Sequence, residues 1–187
     1  SVLGHGDEVV PPQQSQELDF ELELAAVIGK PASNLMPDDS AMDCVAGFTI
    51  YNDWSARDLQ RQEMKVGLGP SKGKDFANAL GPYLIPMSLL NDRYIDGRLH
   101  LQMQAWINDR CVSDADSGSM YWTWPQLLAH ASRDTRLVPG DVIGSGTVGT
   151  GCILELTPEA VGGWLKAGDV VRLEVERLGV LENRVGA

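Results

Sequence analysis

Leu18-Asp19-Phe20-Glu21-Leu22-Glu23-Leu24 alternates apolar and acidic residues, then runs on as Ala25-Ala26-Val27-Ile28. In an extended strand, side chains two apart share a face, so Phe20, Leu22 and Leu24 pack inward while Asp19, Glu21 and Glu23 project from the other side. The segment 25–28 is apolar on both faces and carries the strand into the interior, which leaves the carboxylates at its entrance partly buried. Like charges crowded together repel, and buried carboxylates need partners. The pattern predicts an all-oxygen site for a hard divalent cation, Mg²⁺ first and Mn²⁺ or Ca²⁺ next. Its plain alternative is a solvated strand face.

A third carboxylate fits at Asp53. Phe48-Thr49-Ile50-Tyr51 reads as a short strand with Asn52-Asp53 at its end, just ahead of a helix beginning near Ser55. The competing reading makes Asp53 the cap of that helix.

Twenty glycines, ten prolines and several short alternating runs point to a sheet-rich fold with many turns. Residues 98–108 form the clearest strand, with Leu99, Leu101, Met103, Ala105 and Ile107 on one face. Asn108-Asp109-Arg110 is read as a turn, and Cys111-Val112 starts the returning strand. Gly140-Asp141 and Gly168-Asp169 each precede a β-branched run, and Gly6-Asp7 stands two residues before Val9-Val10, so all three are read as turns feeding strands. Helix is sparse: residues 40–46, 55–65 and 125–133, the last opening on a proline suited to a first helical turn. Residues 11–17 read as a loop and 180–187 as a frayed end.

At 187 residues and 43% hydrophobic, the chain can bury a core. We expect residues 1–16 as an N-terminal arm and 17–187 as one domain. A formal charge of -11 disfavours nucleic acid or an anionic membrane as partner. There is no apolar stretch near the ~20 residues of a membrane span, and the opening residues lack signal-peptide character, so the expected location is cytosolic. Cys44, Cys111 and Cys152 are widely spaced without a Cys-x-x-Cys pair and read as buried or half-buried thiols.

Glu21-x-Glu23, Asn52-Asp53-Trp54-Ser55-Ala56-Arg57-Asp58-x-Gln60, Gly73-Lys74-Asp75-Phe76, Gly81-Pro82, Met120-Tyr121-Trp122-Thr123, Pro139-Gly140-Asp141 and Ser145-Gly146-Thr147 occur in this order. As an ordered set, from about residue 17 to the C-terminus, they resemble the fumarylacetoacetate hydrolase family. The resemblance implies a β-rich (mixed β/α+β) fold of rolled mixed sheets with a few short helices, and a homodimer. It implies Glu21, Glu23 and Asp53 as ligands of Mg²⁺ (or Mn²⁺/Ca²⁺), Lys74 beside the ion, and Arg57 and Gln60 as groups that orient substrate or catalytic residues. Thr147 matches a Gly-Thr position whose backbone binds the substrate carboxylate, and Glu155 matches an acid that orients a catalytic histidine.

Without the resemblance, Arg57 and Gln60 would be surface residues of a helix, Lys72 and Lys74 solvated loop residues, and Glu155 a buried-edge carboxylate. Gly144-Ser145-Gly146-Thr147-Val148-Gly149 lacks the Gly-Lys-Ser/Thr and helix of a phosphate loop, so nucleotide binding is rejected. The chain also departs from the family pattern. The family's hydrolases draw a general-base histidine from upstream of the Glu-x-Glu strand, where this chain has only His5, in a context without that role. His100, on a strand face, and His130, in helix packing, read as structural, and Met64 stands where a substrate-contacting tyrosine is found in the founding members. The implied activity is metal-dependent hydrolysis of a carbon–carbon bond in a small β-diketo or acylpyruvate-type acid. The alternatives are decarboxylation of an oxaloacetate-type acid, tautomerisation or dehydration on the same scaffold, or a catalytically incomplete domain that binds metal and keto acid.

Overall fold

The computed structural model describes residues 1–67 and 69–187. In chain order its strands are β1 (Val2–Leu3), β2 (Glu8–Val9), β3 (Leu18–Asp19), β4 (Leu22–Ile28), β5 (Val45–Asp53), β6 (Ser55–Ala56), β7 (Asn78–Ile85), β8 (Tyr94–Ile95), β9 (Arg98–Leu99), β10 (Gln102–Ile107), β11 (Arg110–Asp116), β12 (Val142–Gly144), β13 (Val170–Val175) and β14 (Gly179–Val185). The helices are α1 (Arg57–Glu63), α2 (Trp124–Ala131), α3 (Ile153–Leu156) and α4 (Pro158–Val161).

One five-stranded sheet has the order β1-β7-β5-β4-β12 and the other β11-β10-β13-β14-β2, with two-stranded ribbons β3-β6 and β8-β9. Each large sheet is mixed: β1 joins β7 and β2 joins β14 in parallel, while the remaining pairs are antiparallel. This is the β-rich, rolled mixed-sheet architecture expected from the sequence. The sheets share one core, to which Leu22, Leu24, Phe48 and Ile50 contribute from one side and Met103, Ala105, Leu173 and Leu181 from the other. Trp124, at the start of α2, meets Phe48 edge-on with ring centroids 4.8 Å apart.

Strand β4 lies between β5 and β12 and is buried almost throughout, which explains an apolar run without alternation. The three Gly-Asp turns share one chemistry. Gly6, Gly140 and Gly168 all have positive φ, and the following aspartate accepts a backbone N–H three residues back: Asp7 from Gly4 (2.7 Å), Asp141 from Val138 (2.8 Å) and Asp169 from Lys166 (2.8 Å). Helix α2 opens with a capping box between Thr123 and Gln126 and a proline in its first turn. Among the described residues no helix is long and apolar enough to cross a membrane.

Several expectations are corrected. The strand read over 98–108 is two strands: β9 belongs to a ribbon with β8, and β10 to the second sheet. Between them the Ser117 hydroxyl donates to Leu99 O (2.6 Å) and accepts from Leu101 N–H (3.0 Å), doing the work of a neighbouring strand where the chain changes partners. Residues 180–187 are no frayed end. In β14, between β13 and β2, Leu181, Asn183 and Val185 point inward, and Asn183 Nδ2 donates to the carbonyls of Gly4 and Asp7. Residues 40–46 form a 3₁₀ turn, Asp39–Cys44, after which Val45 already belongs to β5. Cys111 is exposed, unlike Cys44 and Cys152.

Candidate metal centre

Sheet register builds the site. Leu22 pairs with Asn52 and Glu23 with Tyr51 across β4 and β5, so Glu21 and Asp53 meet at the next rung. In this antiparallel geometry Glu21, Glu23, Tyr51 and Asp53 share one face. Asn52 Oδ1 accepts the Glu21 N–H at 3.0 Å and holds the rung where β4 begins. Glu21, Glu23 and Asp53 each present one carboxylate oxygen, all within 4.8 Å of one another. Glu21 and Glu23 are 8% and 4% exposed, so the solvated-face reading is excluded. Asp53 does not cap α1, whose cap position is Ala56.

Two cations face these carboxylates. Lys74 Nζ lies 2.7 Å from Glu21 Oε2 and 2.9 Å from Asp53 Oδ2, whereas Lys72 stands in solvent beside Asp75. Arg57, the first residue of α1, donates from Nη1 to Glu21 Oε1 (2.8 Å) and Gln60 Oε1 (2.9 Å), and from Nε to Asp19 Oδ2 (2.8 Å). Its Nη2 is buried without a partner among the described residues. Asp19 is fully buried and also accepts the N–H groups of Phe20 and Ile153 (both 2.8 Å) and Leu154 (3.1 Å), tying α3 to the site.

Burial and neighbouring charge set the protonation states. The Glu23 carboxyl is pushed up to about 8 by burial first and then by the charges of Glu21 and Asp53, against Lys74 and the Gly146 N–H that donates to its Oε2 at 3.0 Å. Burial also raises Asp53, which Lys74 only partly offsets. At Glu21 the burial cost is outweighed by Lys74 and Arg57, and its pKa is lowered. Asp19 is raised, burial exceeding the pull of Arg57. Tyr51, beside Asp53 and donating to Asn78 Oδ1 at 2.6 Å, is also raised, chiefly by burial.

The donor set fits a hard divalent cation: three carboxylate oxygens converge, and burial together with the charges of Glu21 and Asp53 disfavours the ionised form of Glu23, a cost that a bound cation would offset. Gly144 leaves the room. A Cβ there would stand 2.7 Å from Glu23 Oε2 and 3.2 Å from the Tyr51 ring.

Other expected residues lie further out. Thr147 is half-buried and, with Ser145, Gly146, Tyr121 and Trp122, lines a cavity of about 290 Å³. Glu155 is exposed on α3 and accepts the Thr150 N–H at 2.6 Å, which corrects the buried-edge reading: the segment is a helical turn. His5 Nδ1 accepts the Glu182 N–H, His100 stands beside Asp116, and His130 is exposed on α2. His130 is therefore not a packing residue, and each of the three is placed outside the carboxylate cluster. Asp19, Tyr51 and Gly144 were not singled out for their parts in the site. Only Asp19 carried a signal, its phase in the acidic alternation.

Mixed sheets bearing a buried all-oxygen cluster define the chain as a candidate metal-dependent enzyme domain. The family described as fumarylacetoacetate (FAA) hydrolase C-terminal matches residues 1–186, and the chain belongs to that family. It is 37% identical over 187 residues to a Xenopus laevis protein named oxaloacetate tautomerase fahd2, mitochondrial, covering 99% of this chain and 55% of the relative. The chain thus spans little more than half of that relative's length. Among solved structures, a fumarylacetoacetate hydrolase from psychrophilic Exiguobacterium antarcticum superposes with a TM-score of 0.82 at 29% identity, over 100% of this chain and 63% of that one. A fumarylpyruvate hydrolase from Pseudomonas aeruginosa, described in complex with Mn²⁺ and pyruvate, shares the fold with a TM-score of 0.82 at 24% identity, over 100% of this chain and 74% of that one.

Proposed function

We propose that the chain interconverts the keto and enol forms of a small 2-oxo acid of the oxaloacetate type, with Glu21, Glu23 and Asp53 as ligands of Mg²⁺ or Mn²⁺. The observation that carries the reading is Lys74 Nζ at 2.7 and 2.9 Å from Glu21 and Asp53: a fixed ammonium group at the edge of an all-oxygen site. When bound, the ion supplies positive charge that lowers the cost of forming an enolate.

The chain's own residues do the rest. Lys74 presents N–H donors toward negative charge that develops on a keto oxygen as the α-proton passes to solvent water, from which that oxygen then takes up a proton to complete the enol. Arg57, held by Asp19 and Gln60, locks the Glu21 carboxylate. The backbone of Ser145-Gly146-Thr147, anchored by Gly146 N–H on Glu23, borders the cavity where a substrate carboxylate would rest. With a net charge of -11, attraction of an acid depends on these local cations. The name of the Xenopus laevis relative supports this choice among enolate reactions.

Carbon–carbon hydrolysis, the first expectation from the sequence, also needs a base on water, and Glu155, the acid assigned to orient one, is exposed and engaged with Thr150. A homodimer, a keto-acid substrate and a cytosolic location belong to the same proposal. Decay of enol absorbance in fresh oxaloacetate, followed with Mn²⁺ and with EDTA, tests it. Acceleration by the metal-loaded protein alone, without pyruvate release, is expected. No acceleration by folded, metal-loaded protein refutes it, and acylpyruvate cleavage in place of acceleration favours the hydrolase.

A further inference from the structure

Arg57, Gln60 and Glu63 stand three apart on α1, so that each neighbours the next along the helix. The first two converge on Glu21. The third reaches the segment that carries Lys74. Glu63 Oε2 accepts the N–H groups of Ser71 (2.8 Å) and Gly73 (3.1 Å), and Oε1 accepts that of Lys72 (2.7 Å). Three successive backbone donors closing on one carboxylate form an anion nest, with charge-assisted bonds stronger than those of a neutral acceptor. The same turn is closed by the N–H groups of Lys74 (3.0 Å) and Asp75 (2.8 Å) donating to Ser71 O, and it is seated on the helix start by Ala56 N–H to Gly73 O (2.8 Å). Only glycine allows that seat, because a Cβ on residue 73 would stand 2.9 Å from Gln60 N. Lys74 is the next residue.

We propose that Glu63 is a positioning residue of the site: by gripping the backbone of residues 71–73 it aims Lys74 Nζ at Glu21 and Asp53. One short helix then sets both cations, Arg57 directly and Lys74 through the turn. The value of that aim for catalysis rests on the proposed metal-dependent function; the grip itself does not.

The test uses metal-stripped full chain and two variants, Glu63→Ala and Glu63→Gln, each checked for folding by circular dichroism. Limited acetylation with acetic anhydride, read by mass spectrometry, reports how far each lysine is held. In Glu63→Ala, labelling of Lys74 should rise on the order of tenfold, while the exposed Lys30 and Lys166 stay as in wild type. Glu63→Gln, which keeps one carbonyl acceptor, should fall between. Mn²⁺ titration supplies the second arm. A loosened Lys74 competes less for Glu21 and Asp53, so Glu63→Ala should tighten Mn²⁺ binding in the wild-type background and change nothing when Lys74→Met is already present. Unchanged Lys74 labelling in a folded variant, or an equal Mn²⁺ effect in the Lys74→Met background, overturns the proposal. Failure of wild type to bind Mn²⁺ would strike the metal reading, leaving the labelling arm to decide on Glu63.

Discussion

Replacing Asp19 with alanine tests the framework beneath the site. The carboxylate is fully buried and accepts four bonds, from Arg57 Nε and from the N–H groups of Phe20, Ile153 and Leu154. Its loss strands a guanidinium that is 3% exposed and already has Nη2 without a partner among the described residues, and it unties the first turn of α3. Breaking a buried ion pair by removing one partner costs ~3–5 kcal/mol. Glu21 still engages Nη1 at 2.8 Å, which places the expectation at the low end, ~3 kcal/mol. With a urea slope of ~2 kcal/mol/M, the midpoint should fall by ~1.5 M with the slope unchanged, and Tm by ~6–12 °C.

The assay is urea unfolding followed by tryptophan fluorescence in EDTA, so that metal binding adds nothing to apparent stability. Asp19 is itself raised by burial, so desolvation consumes part of what the pair contributes. Asp19→Ala combined with Arg57→Met should therefore recover at least half the loss. A cost below ~1 kcal/mol for the single variant, or a double variant no more stable than the single, refutes the reasoning.

Lys74→Met should act with opposite signs, tightening Mn²⁺ by removing a competing cation while slowing enol–keto conversion ~10²-fold or more; weaker Mn²⁺ binding would contradict the placement of Nζ. Because Glu23 is pushed up to about 8, Mn²⁺ must displace a proton below that pH. Apparent affinity should rise up to ~tenfold per pH unit toward 8 and flatten above it, with about one proton released in paired calorimetry buffers. The same shift makes the metal-free fold lose stability as pH rises through about 8, since the native state binds a proton that the unfolded state has already released; a pH-stability curve rising over that window would contradict it. Gly144→Ala should weaken Mn²⁺ binding ~tenfold or more, since the Cβ displaces Glu23 Oε2. Unchanged affinity would show that the carboxylate has room to move.

Much of this was legible where residue type and spacing act locally. The i, i+2 phase of Glu21 and Glu23, and the position of Asp53 at the end of the neighbouring strand, were enough to bring three carboxylates together, because antiparallel register converts sequence phase into a shared face. The Gly-Asp turns were readable for the same reason: glycine and the aspartate carboxylate complete the turn between them. What escaped depends on distant chain segments. Nothing near Gly144 announces that Glu23, 121 positions earlier, occupies the space of its missing side chain. Val180-Leu181-Glu182-Asn183-Arg184-Val185 shows no apolar alternation, because the inward-facing Asn183 is polar, and the strand gains its partners from residues 8–9 and 170–175, which no local pattern reveals. Residues 98–108 misled because their face pattern continues across the break where Ser117 hands the chain from a ribbon to the second sheet.

Calorimetric titration of metal-stripped protein with Mn²⁺, beside Glu23→Gln, tests the central claim most directly. The account predicts binding near one equivalent in wild type and its loss in a folded Glu23→Gln variant. Equal binding by both, or none by folded wild type, would contradict the assignment of Glu21, Glu23 and Asp53 as a metal site.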